Sequence, residues 1–174
     1  VKLGFVPFSA AMRGVLIVFC DDQLRLGNGA RKALGAAANV LKRAAEAANF
    51  KGKAGSALDL IAPVGVKAAR VIVVGAGKAS DLNEYALTKL GGSAAGKITT
   101  AMKDVTIVAD LPHGALKPAE IAALASGVRL RAYRFDRYKT KTKGEDAQLR
   151  ARISLAVANA ASMRKASAPA NAVV

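Results

Sequence analysis

The chain has 174 residues, of which 52% are hydrophobic, so it is long enough for one domain with a buried core and too apolar for a disordered protein. Its apolar runs are shorter than the roughly 18 residues of a membrane span, and its N-terminus lacks the basic-then-apolar layout of a signal peptide. Twenty-seven Lys and Arg against twelve Asp and Glu give a net charge of +15, which attracts polyanions but does not specify a fold.

Strands and a helix are predicted in the first fifty residues. Apolar runs at 2–9 and 14–20 predict two strands. The second run ends in Cys20, the single cysteine, which we expect to be a small buried hydrophobe in a reducing cytoplasm. A helix is predicted over 28–50 because small and apolar residues recur on one stripe. The stripe consists of Leu34, Ala38, Leu41, Ala45 and Ala48.

The middle of the chain predicts two adjacent strands followed by a helix. The strands are 56–63 and 69–75, separated by a Pro-Val-Gly turn, and the second is apolar enough to be buried on both faces. An amphipathic helix follows over 82–90. Asp81 and Glu84, three residues apart, are its predicted capping pair.

The last third completes an alternation of strands and helices. A two-sided strand is predicted at 104–110, a helix from Pro118 to Val128, and a final strand within 149–159 near an edge. Such alternation predicts an α/β domain of three layers, with a mixed, mostly parallel central sheet flanked by helices. The pattern ends near residue 160, so 160–174 is interpreted as a linker.

The sequence "RVIVVGAGKAS" runs from a strand into a Gly-x-Gly turn that invites comparison with phosphate-binding loops. A dinucleotide fingerprint needs a third Gly or Ala where this chain has Ser80. A P-loop needs a hydroxyl where Ala79 stands and a first glycine where Ile72 stands. Gly75 and Gly77 are therefore interpreted as a structural corner rather than a nucleotide site.

Residues that could perform catalysis are few. One His (His113, in a predicted loop) and one Cys cannot build the usual zinc site, and no Gly-x-Ser-x-Gly elbow occurs. Asp21, Asp22 and Asp110 follow strands, where α/β sites often form, but acids at such places commonly cap helices. We favour the capping role, and no catalytic or metal-binding residue is assigned.

A basic tract with interleaved aromatic residues follows the predicted helix that begins at Pro118. Its cations are Arg129, Arg131, Arg134, Arg137, Lys139, Lys141 and Lys143. Cations pair with phosphates and aromatic rings stack on bases, so the tract is compatible with nucleic-acid binding. Composition alone favours a solvated basic loop with Tyr133, Phe135 and Tyr138 tucked into the domain.

Two segments of the chain are distinctive together, namely "RVIVVGAGKASDLNEYALTKLGGSAAG" and "YRFDRYKTK". With them, the chain resembles the N-terminal domain of the leucyl aminopeptidases. These enzymes form the cytosol aminopeptidase family of dinuclear metallopeptidases. The resemblance implies an α/β domain similar in fold to macro domains, joined to a C-terminal catalytic domain in a cytoplasmic homo-hexamer. It also implies two divalent ions, zinc, manganese or magnesium, held in the catalytic domain. The family signature "NTDAEGRL" does not occur in these residues, so the resemblance transfers no catalytic or metal residue.

On this resemblance, we expect 1–159 to be a non-catalytic N-terminal domain and 160–174 to begin the linker to the catalytic domain. Its expected role is to support hexamer assembly and active-site access. The first alternative is a DNA-binding module acting through the 129–143 tract. A third hypothesis is an ADP-ribose or nucleotide binder of macro-domain type. The chain begins with Val rather than Met, which agrees with its being a piece of a longer protein.

Overall fold

The computed structural model describes residues 2–138 and 151–167, with the side chains of 134–138 and 167 excepted. Lys139, Lys141, Lys143 and the residues after 167 therefore lie outside the described residues.

The main element is a six-stranded sheet. Its strands are β1 (Leu3–Pro7), β2 (Val15–Asp21), β3 (Ala57–Ile61), β4 (Arg70–Gly77), β5 (Asp104–Val108) and β8 (Arg152–Val157). The order across the sheet is β1-β8-β5-β2-β4-β3, and every neighbouring pair is parallel except β3 with β4. Two short strands, β6 (Asp110–Leu111) and β7 (Gly114–Ala115), form a separate hairpin. The prediction of a mixed, mostly parallel sheet is confirmed.

Helices cover both faces of this sheet. They are α1 (Asn28–Leu34), α2 (Leu41–Ala47), α3 (Glu84–Gly96), α4 (Pro118–Tyr138) and α5 (Ala160–Ser167). One core cluster contains Leu87 of α3, Leu124 of α4 and Met163 of α5, whereas the other contains Leu34 and Leu41 from α1 and α2. The three predicted layers are therefore present.

The central strands contribute side chains to both clusters, because successive side chains of a strand point to opposite faces of the sheet. In β2, Ile17 and Phe19 join the α3–α4 cluster, while Leu16 and Val18 join the α1–α2 cluster. A strand buried on both faces requires a continuous apolar run, which β2 and β4 supply. Because β2 pairs in parallel with both β4 and β5, the carboxyl ends of these three strands lie together at one edge of the sheet.

Two local predictions were wrong. The helix predicted over 28–50 is interrupted by a 3-10 segment, Gly35–Val40, because Gly35 takes a φ of +53° and its N–H bonds back to Arg31. The cap of α3 is Asn83, whose side chain accepts a 2.8 Å hydrogen bond from the N–H of Ala86, and not Asp81.

Two C-terminal features differ from the predicted pattern. Helix α4 continues ten residues beyond Val128, to Tyr138. The first eight residues of the predicted linker form α5, which is held to β1 by a 2.8 Å hydrogen bond from Arg164 Nε to the carbonyl of Phe5. Strand β8 is the neighbour of the edge strand β1, so the prediction of a final strand near an edge is confirmed. The domain boundary after residue 159 stays a prediction.

Candidate functional site

The Gly-x-Gly corner lies at the carboxyl end of β4, and the loop that precedes β3 is hydrogen-bonded to it. Gly75 donates its N–H to the carbonyl of Ser56 (2.8 Å) and accepts from the N–H of Gly55 (2.9 Å). The N–H of Gly77 is donated to the carbonyl of Gly52 (3.1 Å). A phosphate cradle needs N–H groups that point at the ligand. Here both glycine N–H groups are used by the chain's own carbonyls.

Two separate constraints require glycine in this corner. A Cβ on Gly75 would collide with the backbone carbonyls of Lys53 and Gly52, which occupy the space a side chain would need. Gly77 has a φ of +74°, a conformation that residues with a Cβ rarely adopt. These contacts account for the glycines without any ligand.

A cavity of about 170 Å³ opens beside the corner, between β4 and α3. Ala76 and Leu90 are buried and Ala86 is half-buried, and these three supply apolar lining. Charged lining comes from Lys78, Asp81 and Lys89, all exposed. The ammonium of Lys89 also lies 5.5 Å from the ring centroid of Tyr85. Asp81, Lys89 and the apolar lining were missed by sequence reasoning, because the lining comes from three segments that only the fold brings together.

The carboxylate of Asp21, at the end of β2, stabilises the loop that follows this strand. Its Oδ1 accepts hydrogen bonds from the backbone N–H groups of Gln23 (3.0 Å) and Arg25 (2.9 Å). Its Oδ2 is paired with Nε of Arg25 at 2.7 Å. These contacts make Asp21 a structural acid of the loop after β2, although it does not cap a helix as predicted.

The Asp110 carboxylate caps a helix from a distant segment. Its Oδ2 accepts hydrogen bonds from the N–H groups of Gly29 (2.6 Å) and Ala30 (3.4 Å) in the first turn of α1. Residues 2–138 and 151–167 contain no group of three or more His, Cys, Asp or Glu that could hold a metal ion. The two ions implied by the resemblance therefore have no fitting donor set in this part of the chain.

The remaining candidate residues are Cys20, His113 and Asp22, and each lies in a different environment. Cys20 is fully buried, and desolvation, with a smaller contribution from the nearby Asp21 carboxylate, raises the pKa of its thiol to about 12. A thiol at such a pKa is not a nucleophile at neutral pH. His113 is exposed in the turn between β6 and β7, as the sequence predicted. Asp22 is half-buried next to the corner, with its N–H bonded to the carbonyl of Gly77.

The basic tract begins on α4 rather than in a loop. Arg129 is half-buried and Arg131 is exposed, and Arg134 and Arg137 lie on the same helix, with side chains outside the described residues. Tyr133 is 63% exposed, so it is not tucked into the domain as the loop hypothesis required. Phe135 and Tyr138 also have side chains beyond what the structure describes.

Comparison with known proteins relates the chain to one protein family. Residues 16–142 match the family model described as the cytosol aminopeptidase family, N-terminal domain. A probable cytosol aminopeptidase of Rhodopseudomonas palustris (strain TIE-1) is 59% identical over 175 residues, which cover 100% of this chain and 35% of that protein. One from Nitrobacter hamburgensis is 56% identical, with the same coverage. This chain thus spans about a third of the length of these relatives.

A solved structure of a mutant tomato leucine aminopeptidase shares the fold. The TM-score is 0.71 at 18% sequence identity, over 95% of this chain and 34% of that one. The fold is therefore the α/β domain found in that enzyme. The chain belongs to the cytosol aminopeptidase family, and the part of the family that it matches is the N-terminal domain.

Proposed function

We propose that this chain is the non-catalytic N-terminal domain of a metal-dependent leucyl aminopeptidase that removes N-terminal residues, often Leu, from peptides. Catalysis is assigned to a C-terminal domain with two divalent ions, zinc, manganese or magnesium. The domain supports a cytoplasmic homo-hexamer and shapes access to active sites built elsewhere. On this proposal, 1–159 is the domain and 160–174 begins the linker.

The main support for the proposal is that the buried acids are occupied by structural hydrogen bonds. Among the described residues, Asp21 and Asp110 are the buried carboxylates at the carboxyl edge of the sheet, and both accept hydrogen bonds from backbone N–H groups. Hydrolysis by two metal ions needs several ligands that clamp ions about 3.5–4 Å apart. The described residues hold no such set. The family assignment and the threefold greater length of the relatives support placing the chemistry outside this domain.

The purified chain should not cleave a leucine chromogenic substrate, whichever of zinc, manganese or magnesium is added. Metal-dependent turnover by pure chain would overturn the proposal. The assembly role is tested in the Rhodopseudomonas palustris relative by deleting the region aligned with this chain and measuring sedimentation. We expect the intact relative to be a hexamer and the deletion variant, checked for folding by circular dichroism, to dissociate. A folded deletion variant that remains hexameric would contradict the assembly role.

DNA binding through the 129–143 tract is the second candidate function. The net charge of +15 favours it, as does the exposure of Arg131 and Tyr133 at the described end of the tract. Backbone phosphates supply most of the affinity of such surfaces, without sequence preference. Binding by one domain should be weak and should strengthen when an assembly presents several copies.

The macro-domain hypothesis of ADP-ribose or nucleotide binding receives less support. The N–H groups of Gly75 and Gly77 are already hydrogen-bonded within the chain. The adjoining cavity, about 170 Å³, is smaller than the roughly 300–1,000 Å³ usual for sites that bind drug-sized ligands. Fold alone does not transfer ligand specificity. Titration with ADP-ribose, followed by thermal shift, tests this hypothesis.

A further inference from the structure

We propose that the cavity between β4 and α3 binds a free α-amino acid with an apolar side chain. Its apolar lining, from Ala76, Ala86 and Leu90, would contact the side chain of the ligand. Its charged lining carries both signs, with two ammonium groups and one carboxylate. An amino acid presents the matching groups, because it has a carboxylate, an ammonium and an apolar group within a few ångströms.

The charges around the cavity are not neutralised by one another. Among the described residues, the ion pairs are Arg25–Asp21 and Arg70–Asp59, and neither involves Lys78, Lys89 or Asp81. A simple anion would be attracted by the two lysines and repelled by Asp81. A zwitterion satisfies both signs, its carboxylate facing the lysines and its ammonium facing Asp81.

The size of the cavity sets the size of the ligand. A protein cavity of about 150 Å³ holds a benzene molecule, and this cavity measures about 170 Å³. An amino acid such as leucine is on this scale when its charged end lies at the open rim. The proposal stands apart from the proposed function, although a free amino acid is also the product class of an aminopeptidase.

Four ligands test separately whether the carboxylate, the ammonium and the apolar group of the amino acid are each needed for binding. L-leucine carries all of them, L-leucinamide lacks the carboxylate, 4-methylpentanoate lacks the ammonium, and glycine lacks the apolar group. Each is titrated into the 174-residue chain, and binding is followed by the amide NMR signals of Gly55, Gly77 and Ser93. We expect saturable shifts with leucine and at least tenfold weaker binding of each truncated ligand. Absence of shifts with leucine, or equal binding of 4-methylpentanoate, would overturn the proposal.

Variants at exposed positions assign the charged contacts without disturbing the core. K78A/K89A should weaken leucine binding at least tenfold and should not weaken leucinamide binding, because leucinamide has no carboxylate for the lysines to bind. D81N should weaken leucine and leucinamide alike, and it should not weaken 4-methylpentanoate, because Asp81 repels the carboxylate of that ligand. K42A, an exposed lysine change on α2, is the matched control and should bind leucine as the wild type does. Wild-type leucine affinity in both cavity variants would contradict the assignment.

Discussion

The carboxylate of Asp110 accepts a 2.6 Å hydrogen bond from the backbone N–H of Gly29, a residue 81 positions earlier in the chain. Helix α1 has no side-chain cap of its own, since Gly27 stands at its N-cap. A Cβ on Gly27 would collide with the Asp110 carboxylate, so the glycine makes room for the distant cap. Asp110 lies at the edge of the sheet where α/β proteins often form their sites, but its carboxylate has a structural role here as a helix cap.

Removing this cap should destabilise the chain. D110A leaves buried N–H groups of α1 without an acceptor, so we expect the free energy of unfolding to fall by about 1–3 kcal/mol. D110N keeps one acceptor oxygen and should lose less. Urea denaturation measures both. E46A, which removes an exposed acid from α2, is the control, and equal losses in D110A and E46A would contradict the capping role.

The corner glycines should be required for stability. G75A places a Cβ against the carbonyls of Lys53 and Gly52, and G77V imposes a side chain at a φ of +74°. Each should cost about 1–3 kcal/mol in urea unfolding. G4A, on the exposed edge strand β1 with nothing within 4 Å of its new Cβ, is the control and should be neutral.

The side chain of Lys78, which follows the corner glycines, should not contribute to stability. K78A changes an exposed side chain, so it should leave the free energy of unfolding nearly unchanged. If K78A instead abolished binding of a phosphate ligand, the interpretation of the Gly75–Gly77 turn as a structural corner rather than a phosphate site would be wrong.

Neighbouring glycines of α3 should respond in opposite directions. A Cβ on Gly91 would run into the carbonyl of Leu124 on α4, whereas the nearest atom to a Cβ on Gly92 lies 3.7 Å away. We expect G91A to cost about 1–3 kcal/mol by forcing the helices apart. G92A should stabilise by about 0.5–1 kcal/mol, because alanine is the better helix former. Similar changes in thermal stability for the two variants would exclude this close helix contact.

The thiol of Cys20 should be inert until the chain unfolds, and a thiol reagent should label it only in denaturant. An unfolded thiol ionises near pH 9.0, whereas the folded one keeps its proton to about 12. Between these values the folded state binds more protons, so stability falls as pH rises. Urea unfolding across this interval should show a shallower decline for C20A than for the wild type. Identical slopes would contradict the contribution of Cys20.

DNA binding through the basic tract should appear in the salt dependence. With three or four phosphate contacts, the log–log slope should be roughly −3, from about −0.9 per phosphate. Changing Lys139, Lys141 and Lys143 together to Glu should make the slope shallower, because three candidate phosphate contacts are lost. K42E/R43E on α2 is the charge-matched control for a surface away from the tract. An unchanged slope in the triple variant would remove the tract from the DNA-binding hypothesis.

Periodicity predicted the strands and the layers, because burial on two faces demands an apolar run that is visible in sequence. The runs around Ile17, Ile72 and Ile107 all became buried strands of the sheet. Local sequence patterns predicted the capping residues of helices less accurately. Asp81 and Glu84 have capping spacing, yet Asn83 makes the cap, since the backbone after β4 first forms a short 3-10 turn over Ala79–Asp81.

The sequence by itself determined that this chain is a three-layer α/β domain of the cytosol aminopeptidase type, because apolar periodicity and the two distinctive segments are properties of neighbouring residues. Only the tertiary structure decided what the glycines and acids do. Gly75 meets the backbone of Lys53, Gly91 meets α4, and Asp110 caps α1. These roles depend on contacts between segments far apart in the chain, and the energy of such a contact is not carried by either segment alone.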